Sequence, residues 1–223
     1  FERRDLPCVA DFSAEEIRVI AQMLERDVNS PRATSAGRLF DAAASLAGLR
    51  QRCRFEGQAA MELEFALGAA PDCGDAYPLP LLESAASPPR SGNETFARDL
   101  TSLEPTWRLD WEPLMGSILS DAESGAPLAV IAARFHNALA EGAVQVAARS
   151  GLDRVALTGG CFQNRYLLER CVKRLKEEGF RVCWPQRLPP NDGSIAAGQL
   201  FAFAPRAAPS AEKRARPPRK DVR

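Results

Sequence analysis

The chain has 223 residues, enough for one large domain or two small ones with a buried core. Its 45% hydrophobic and 26% charged residues are ordinary for a globular protein, and its net charge of zero gives no basic field to attract nucleic acid or an anionic membrane. No apolar run approaches the roughly 18–20 residues that span a bilayer, and nothing at the start resembles a signal peptide. We therefore expect a cytoplasmic protein without membrane or nucleic-acid partners. Because the chain begins with Phe1 and not with Met, it is also a candidate for the C-terminal part of something longer.

Cysteine and histidine usage gives little sign of a metal site made by this chain alone. None of the six cysteines forms a CxxC pair, and His136 is the single histidine. Free thiols are the default in a cytosolic protein. His136 stands among Phe135, Ala138 and Leu139, so packing within a helix is a simpler explanation for it than a role as a ligand.

Three helices are predicted in residues 1–68, which we assign to a helical part of the protein. Ser13-Ala14-Glu15-Glu16 is a capping box followed by apolar residues at helical spacing. The segment TSAGRLFDAAASLAGL begins with Thr34 or Ser35 as a cap, and EGQAAMELEFAL predicts a third helix after Glu56.

Residues 69–110 lack clear periodicity and are interpreted as a variable loop and strand insertion. The stretch SAASPPRSGNETF is rich in Ser, Pro and Gly and predicts an exposed loop, with strands around Tyr77–Leu82 and Thr106–Leu109. Helices are predicted over Trp111–Ala122 and from Pro127, as the first helical residue, to Ser150, where Gly151 is a natural stop.

The last third alternates between strand and helix, and we assign residues 111–206 to an α/β core. The segments RVALTG and FRVCW predict strands, the first of them buried, and NRYLLERCVKRLKEEG between them predicts an amphipathic helix. The loop PQRLPPNDGS then leads to a helix in SIAAGQLFAF. This β-α-β-α order predicts a parallel pair of strands with a right-handed crossover. Residues 207–223 are basic, Pro-rich and without apolar anchors, so this tail is predicted to be disordered.

Two loops of the α/β core are candidates for ligand binding. Gly159 and Gly160 lie where a strand turns into a helix, with Asn164 just after them. Glycines at such a turn let backbone N–H groups approach a phosphate, although a tight connection explains them too. The loop with Asp192 follows the next strand, so both loops are expected at the same edge of the sheet. Asp192 could bind a metal or a ribose hydroxyl, or simply cap the last helix.

Two weaker candidates lie in the helical part. Arg38 and Asp41 are three residues apart on a helix and share a face next to Gly37, either as a surface ion pair or as a donor and an acceptor for a sugar or phosphate. Glu56 stands at the head of an apolar helix, and a helix start explains most of its position.

Together these stretches resemble one family. TSAGRLFDAAASLAGL, FEGQAAMELE, ALTGGCFQNRYLLER and PPNDGSIAAGQ, in this order from about residue 29 to residue 203, look like the C-terminal lobe of the HypF-type carbamoyltransferases of nickel–iron hydrogenase maturation. The region is also similar to the tRNA threonylcarbamoyl transferases. The resemblance implies an α/β fold of the actin/Hsp70-like (ribonuclease H-like) nucleotide-binding type, with a helical subdomain and incomplete relative to the family.

The resemblance also implies a reaction and a site. Such enzymes use carbamoyl phosphate and ATP to make a carbamoyl-adenylate, and then carbamoylate the C-terminal cysteine of a maturation partner (HypE), from which the cyanide ligands of the hydrogenase iron are made. Gly159 and Gly160 would hold nucleotide phosphate with Asn164 nearby. Asp192 would supply one ligand to a divalent metal. The nucleoside pocket would be lined by Gly37, Arg38, Asp41 and Glu56.

The sequence departs from the family in what it lacks. It has no HxxxH motif for the remaining metal ligands and no acylphosphatase-like, zinc-finger or adenylate-forming region, and the usual DGG is Asp192-Gly193-Ser194. We therefore expect a fragment or a truncated product, inactive without a preceding lobe in cis or in trans. Two alternatives stay open: a non-catalytic module that docks the partner, and a threonylcarbamoyl transferase-like protein.

Overall fold

The structure is a computed structural model that describes residues 3–31, 33–68, 73–83 and 107–203. The predicted tail over 207–223 and the whole of the predicted loop SAASPPRSGNETF lie outside these residues. None of the described helices is long and apolar enough to cross a membrane.

Four helices form the first part of the chain. After a short helix α1 (Pro7–Ala10), which the sequence did not predict, α2 (Ala14–Glu25) begins at the predicted capping box. The Ser13 hydroxyl accepts from the Glu16 amide at 3.2 Å, and the Glu16 carboxylate accepts from the Ser13 amide at 2.8 Å. Helices α3 (Ala36–Leu46) and α4 (Gln58–Phe65) confirm the other two predicted helices.

A short antiparallel pair and two helices follow. Strand β1 (Leu81–Glu83) pairs with β2 (Trp107–Leu109), so strands exist where they were predicted, but the first starts four residues later than expected. Helix α5 (Glu112–Glu123) leads to the long α6 (Leu128–Ser150). Pro127 is the N-cap of α6 and not its first residue, and Gly151, at φ +68°, ends it as predicted.

The predicted β-α-β-α order is confirmed in the last part. Strand β3 (Arg154–Ala156) and strand β4 (Arg181–Cys183) are parallel, with α7 (Arg165–Glu177) between them and α8 (Ile195–Phe203) after them. The expectation of a buried first strand is wrong in part. Leu157 is buried, but Ala156 is exposed, because among the described residues β3 has a strand neighbour on one side only.

One hydrophobic core joins the helical part to the α/β part. Phe40 of α3 and Phe135 of α6 meet edge to face at 4.9 Å between ring centroids, and both are almost fully buried. Helix α6 packs on both α5 and α7, so it is the central element. Other fully buried members of this core are Leu63, Leu114, Ile118, Cys171 and Leu175.

Candidate functional site

The two glycines at the end of β3 have different structural demands. Gly159 has φ +109°, a conformation that favours glycine, whereas Gly160 has no such restriction and begins a 3-10 turn, Gly160–Gln163. A Cβ atom at either position would meet no protein atom within 4 Å. The N–H group of Gly160 donates to no hydrogen bond within the described part of the chain. The turn therefore has a backbone donor at an exposed residue that lacks an acceptor among the described residues.

A hydrogen bond joins the glycine turn to the second loop, as the parallel strands predict. The Gly159 amide donates to the Pro190 carbonyl at 2.7 Å. The Asn191 side chain accepts from the Gly193 amide at 3.0 Å, and the Ser194 hydroxyl donates to the Pro189 carbonyl. The two loops thus form one edge beyond the carboxyl ends of β3 and β4, the usual place for a ligand in an α/β layer.

Asp192 is exposed at this edge and starts the 3-10 turn Asp192–Ser194. The sequence offered Asp192 as a cap of the last helix, but its side chain makes no hydrogen bond to a described residue; the Asn191 side chain caps the 3-10 turn that precedes α8. Among residues 3–31, 33–68, 73–83 and 107–203, no partner forms a hydrogen bond or ion pair with the Asp192 carboxylate. Its oxygens are therefore free to accept from a ligand.

The residues of the described ranges do not by themselves make a metal site. No group of three or more His, Cys, Asp or Glu side chains that could hold an ion is found among them. Asp192 offers one carboxylate, and the chain's single histidine is fully buried. A metal at this edge would need further ligands from outside these residues.

Asn164 connects the glycine turn to α7. Its side-chain oxygen accepts from the Leu167 amide at 2.8 Å, which makes it the N-cap of α7, and its amide nitrogen lies 2.8 Å from Nε2 of His136. The side chain is buried. Asn164 therefore contacts the protein interior through both ends of its amide, and its predicted place near the nucleotide stays a prediction.

Glu64 of α4 is a site neighbour that the sequence did not reveal. Its Oε1 atom accepts from the amides of Arg165, at 2.7 Å, and Tyr166, at 3.3 Å. This carboxylate occupies the N-terminus of α7, where negative charge is favoured. A protein carboxylate already fills the start of α7, so the Gly160 amide is a better candidate for an open donor than the start of this helix.

The remaining predicted residues lie on the neighbouring helices. Arg38 and Asp41 form an ion pair at 2.8 Å on α3, and the Arg38 side chain is 61% exposed. Helix α3 contacts the 3-10 turn that starts at Gly160. Gly37 lies in the first turn of α3, and Glu56 is exposed just before α4. In the described residues, none of these four hydrogen-bonds to the glycine turn or to the Asp192 loop.

His136 is a packed core residue, as predicted. It lies on α6, and its Nδ1 atom lies 2.7 Å from the Ala132 carbonyl. Burial lowers its pKa from the usual 6.5 to about 4. The imidazole is therefore neutral at pH 7.

A concave region lies away from the glycine turn. It is a cleft of about 400 Å³ beside α5 and α6. The Tyr77 hydroxyl donates to Asp121 at 2.6 Å, and Arg134 donates to the same carboxylate at 2.7 Å. Burial, followed by the bond to Asp121, raises the pKa of Tyr77. This network fixes the segment before β1 against the two helices.

Taken together, the described residues form an α/β lobe of the actin/Hsp70-like class with helices packed on it. Over residues 3–199 the chain matches the family model described as the carbamoyltransferase Kae1-like domain, second subdomain. The chain therefore belongs to this family, the HypF-type carbamoyltransferases, and the resemblance inferred from the four motifs is confirmed.

Individual relatives agree. The chain is 39% identical over 173 residues to carbamoyltransferase HypF of Synechocystis sp., and the matched region covers 78% of this chain and 20% of the relative. It is 35% identical over 199 residues to carbamoyltransferase HypF2 of Cupriavidus necator, covering 85% of this chain and 24% of the relative. A crystal structure of full-length HypF in the phosphate- and nucleotide-bound form matches with a TM-score of 0.72 and 32% identity, over 86% of this chain and 23% of that one. The chain thus spans about a fifth to a quarter of these proteins.

Proposed function

We propose that this chain is the C-terminal part of a carbamoyltransferase that works through a carbamoyl-adenylate made from carbamoyl phosphate and ATP. The carbamoyl group is then transferred to the C-terminal cysteine thiolate of a HypE-like maturation partner, as the first step towards the cyanide ligands of a hydrogenase. In this lobe, the glycine turn binds the phosphate of the nucleotide.

The observation that carries the proposal is the free Gly160 amide at the edge beyond β3 and β4. A backbone N–H at the start of a turn attracts negative charge, and the lack of a side chain lets a phosphate oxygen come within hydrogen-bond distance. The relative whose structure contains phosphate and nucleotide is a full-length HypF, which agrees with an anion site in this family.

Helix α3 and the start of α4 supply the nucleoside side of the pocket. Gly37, Arg38, Asp41 and Glu56 line it, with α3 held against the 3-10 turn. The exposed Arg38–Asp41 pair offers both a donor and an acceptor, the combination that a ribose or a base edge requires.

Asp192 supplies one ligand to a divalent metal that is completed by histidines outside this chain. The carboxylate has no partner in the described residues, which supports this assignment, and because no ligand set is found among those residues the proposal places the other ligands outside this chain.

The acceptor thiolate belongs to the partner, so this lobe needs no nucleophile of its own. Its only histidine is buried and therefore cannot act as a base on a substrate. All six cysteines are free, which agrees with a reducing, cytoplasmic location.

A preceding lobe, in cis or in trans, completes the cleft. Helix α8 lies directly after the Asp192 turn and has no buried residue, with Leu200, Phe201 and Phe203 between 76% and 88% exposed. An apolar helix of this kind is a surface that another part of a longer protein covers.

A non-catalytic module that docks the partner is the second candidate. It is favoured by the incomplete metal ligand set within the described residues. A threonylcarbamoyl transferase acting on tRNA is disfavoured by the family match, while the net charge of zero does not exclude it.

The test is carbamoyl transfer by a protein that contains this segment together with its preceding lobe. We expect Asp192→Ala to reduce transfer at least a hundredfold without lowering the melting temperature, because the carboxylate has no partner in the fold. Glu169→Ala, which removes an exposed i,i+4 ion pair on α7, is the control and should retain activity. Full activity of Asp192→Ala would favour the docking module or a different metal ligand.

A further inference from the structure

His136 lies where three helices meet, next to the glycine turn but out of reach of a ligand. Its side chain is fully buried on α6. The imidazole makes edge contacts with Phe40 of α3, at 5.3 Å between ring centroids, and with Tyr166 of α7, at 5.5 Å. A role of this side chain in the site must therefore act through a neighbour.

The hydrogen bonds of the imidazole fix its tautomer. Nδ1 lies 2.7 Å from the Ala132 carbonyl oxygen, and Nε2 lies 2.8 Å from the amide nitrogen of Asn164. A carbonyl oxygen can only accept, so the hydrogen is on Nδ1. Nε2 then carries a lone pair and accepts from the NH₂ group of Asn164.

The tautomer in turn fixes the orientation of Asn164. Because its NH₂ group faces His136, its oxygen faces the Leu167 amide, at 2.8 Å, and caps α7. The backbone amide of Asn164 donates to the Cys161 carbonyl at 3.2 Å and closes the turn that begins at Gly160. One side chain therefore ends the glycine turn and starts α7.

We infer that His136 is a positioning residue of the nucleotide site: as the Nδ1–H tautomer it holds Asn164 in the one orientation that caps α7 and fixes the turn from Gly159 to Gln163. The inference rests on the proposed function of that turn. The coupling itself is measurable without nucleotide.

Adding a second proton to His136 would break this arrangement. An Nε2–H group would face the NH₂ group of Asn164, donor against donor. A half-turn of the amide would give the imidazolium its acceptor, but it would then point NH₂ at the Leu167 N–H and remove the cap.

The Ala132 carbonyl favours the added charge, but burial outweighs it, and among the described residues no carboxylate pairs with the imidazole. α3 contributes the Phe40 ring, and α7 contributes Tyr166, whose hydroxyl donates to the Asn137 side-chain oxygen at 3.1 Å. The nearby carboxylate of Glu64, on α4, is bound to the first amides of α7.

The first experiment is direct observation of the tautomer in the wild-type chain labelled with ¹⁵N-histidine. One histidine gives one pair of ring nitrogen signals, so no assignment is needed. We expect a neutral ring protonated on Nδ1 at pH 7, and a ring protonated on Nε2 would overturn the inference. In Asn164→Asp the carboxylate still caps α7 and gives the imidazolium an acceptor, so the pKa of His136 should rise by about one unit or more. An unchanged titration would also overturn it.

The second experiment compares two substitutions of similar size. His136→Gln retains an acceptor within reach of Asn164, whereas His136→Met does not. Hydrogen exchange of the Phe162 and Asn164 amides should be about tenfold faster in the Met variant, with about tenfold weaker ADP binding, and Gln should recover most of both.

Equal behaviour of the Gln and Met variants, or unchanged exchange in Met, would contradict a positioning role. If both variants unfold, the tautomer of the wild-type protein and the titration of Asn164→Asp still test the positioning role of His136. If wild-type protein with its preceding lobe binds no ADP, the proposed function fails, while the exchange data still test the coupling.

Discussion

At the scale of single residues, Gly159 and Gly160 have separate explanations. A tight connection accounts for Gly159, since its φ of +109° favours glycine and its amide is bonded to Pro190 within the fold. It does not account for Gly160, whose φ is not positive and where an added Cβ atom would meet no protein atom within 4 Å. A free N–H at an exposed residue without a side chain is what close approach by a phosphate requires, so Gly160 carries the functional argument.

This difference predicts unequal effects of alanine on stability. Gly159→Ala should lower the free energy of unfolding by about 1–2 kcal/mol, because a Cβ is strained at that φ. Gly160→Ala should change it by less than about 0.5 kcal/mol. Urea denaturation of the two variants checks this, and equal losses would mean that Gly160 is also needed by the fold.

At the scale of elements, the sequence predicted those with strong local signals. The capping box of α2, the stop at Gly151 and the parallel pair β3–β4 each follow from residues close together in the chain. For Gly159 and Pro190, the sequence predicted that the two loops lie at the same sheet edge, but not the hydrogen bond between these residues. The capping of α7 by Glu64 was not predictable, because about a hundred residues separate the partners and no local pattern marks the glutamate.

The contact of Glu64 with the first amides of α7 gives a prediction at this scale. Glu64→Ala should lower the free energy of unfolding by about 1–3 kcal/mol, since two backbone amides at the helix start lose their shared acceptor and its charge. Glu64→Gln, which retains an acceptor without the charge, should lose less. Glu56→Ala is the matched control on the approach to α4: it is exposed and should leave thermal unfolding unchanged. A Glu64→Ala variant as stable as the control would show that the Glu64 carboxylate does not stabilise the start of α7.

At the scale of the whole molecule, one core unites the helical and α/β parts, yet α8 and one side of β3 stay uncovered within the described residues. The composition gave no sign of this, because exposed and buried apolar residues count alike in it. The four motifs could predict the family and the sheet edge at which the two loops meet. They could not predict the environment of His136, which depends on how α3, α6 and α7 pack.

Global stability should depend on pH through His136. Its pKa is about 4 in the folded chain and near 6.5 when unfolded, so between these values the unfolded state binds more protons and stability falls as the pH falls. The free energy of unfolding should drop by about 2 kcal/mol from pH 7.5 to pH 5 and be unaffected by this group above about pH 7. Denaturation at both pH values, with His136→Gln as the control that removes the effect, measures it. An equal slope in both proteins would assign it elsewhere.

The most direct test of nucleotide binding at the glycine turn is calorimetric titration of ADP, with Mg²⁺, into protein containing this segment and its preceding lobe. Wild-type protein should bind, and Gly160→Val should bind at least tenfold more weakly with the same melting temperature, because the fold has room for the valine side chain but the bulk beside the Gly160 amide hinders approach of a phosphate. Equal affinity of the two proteins would contradict the proposal and leave Gly160 as part of a connection between strand and helix.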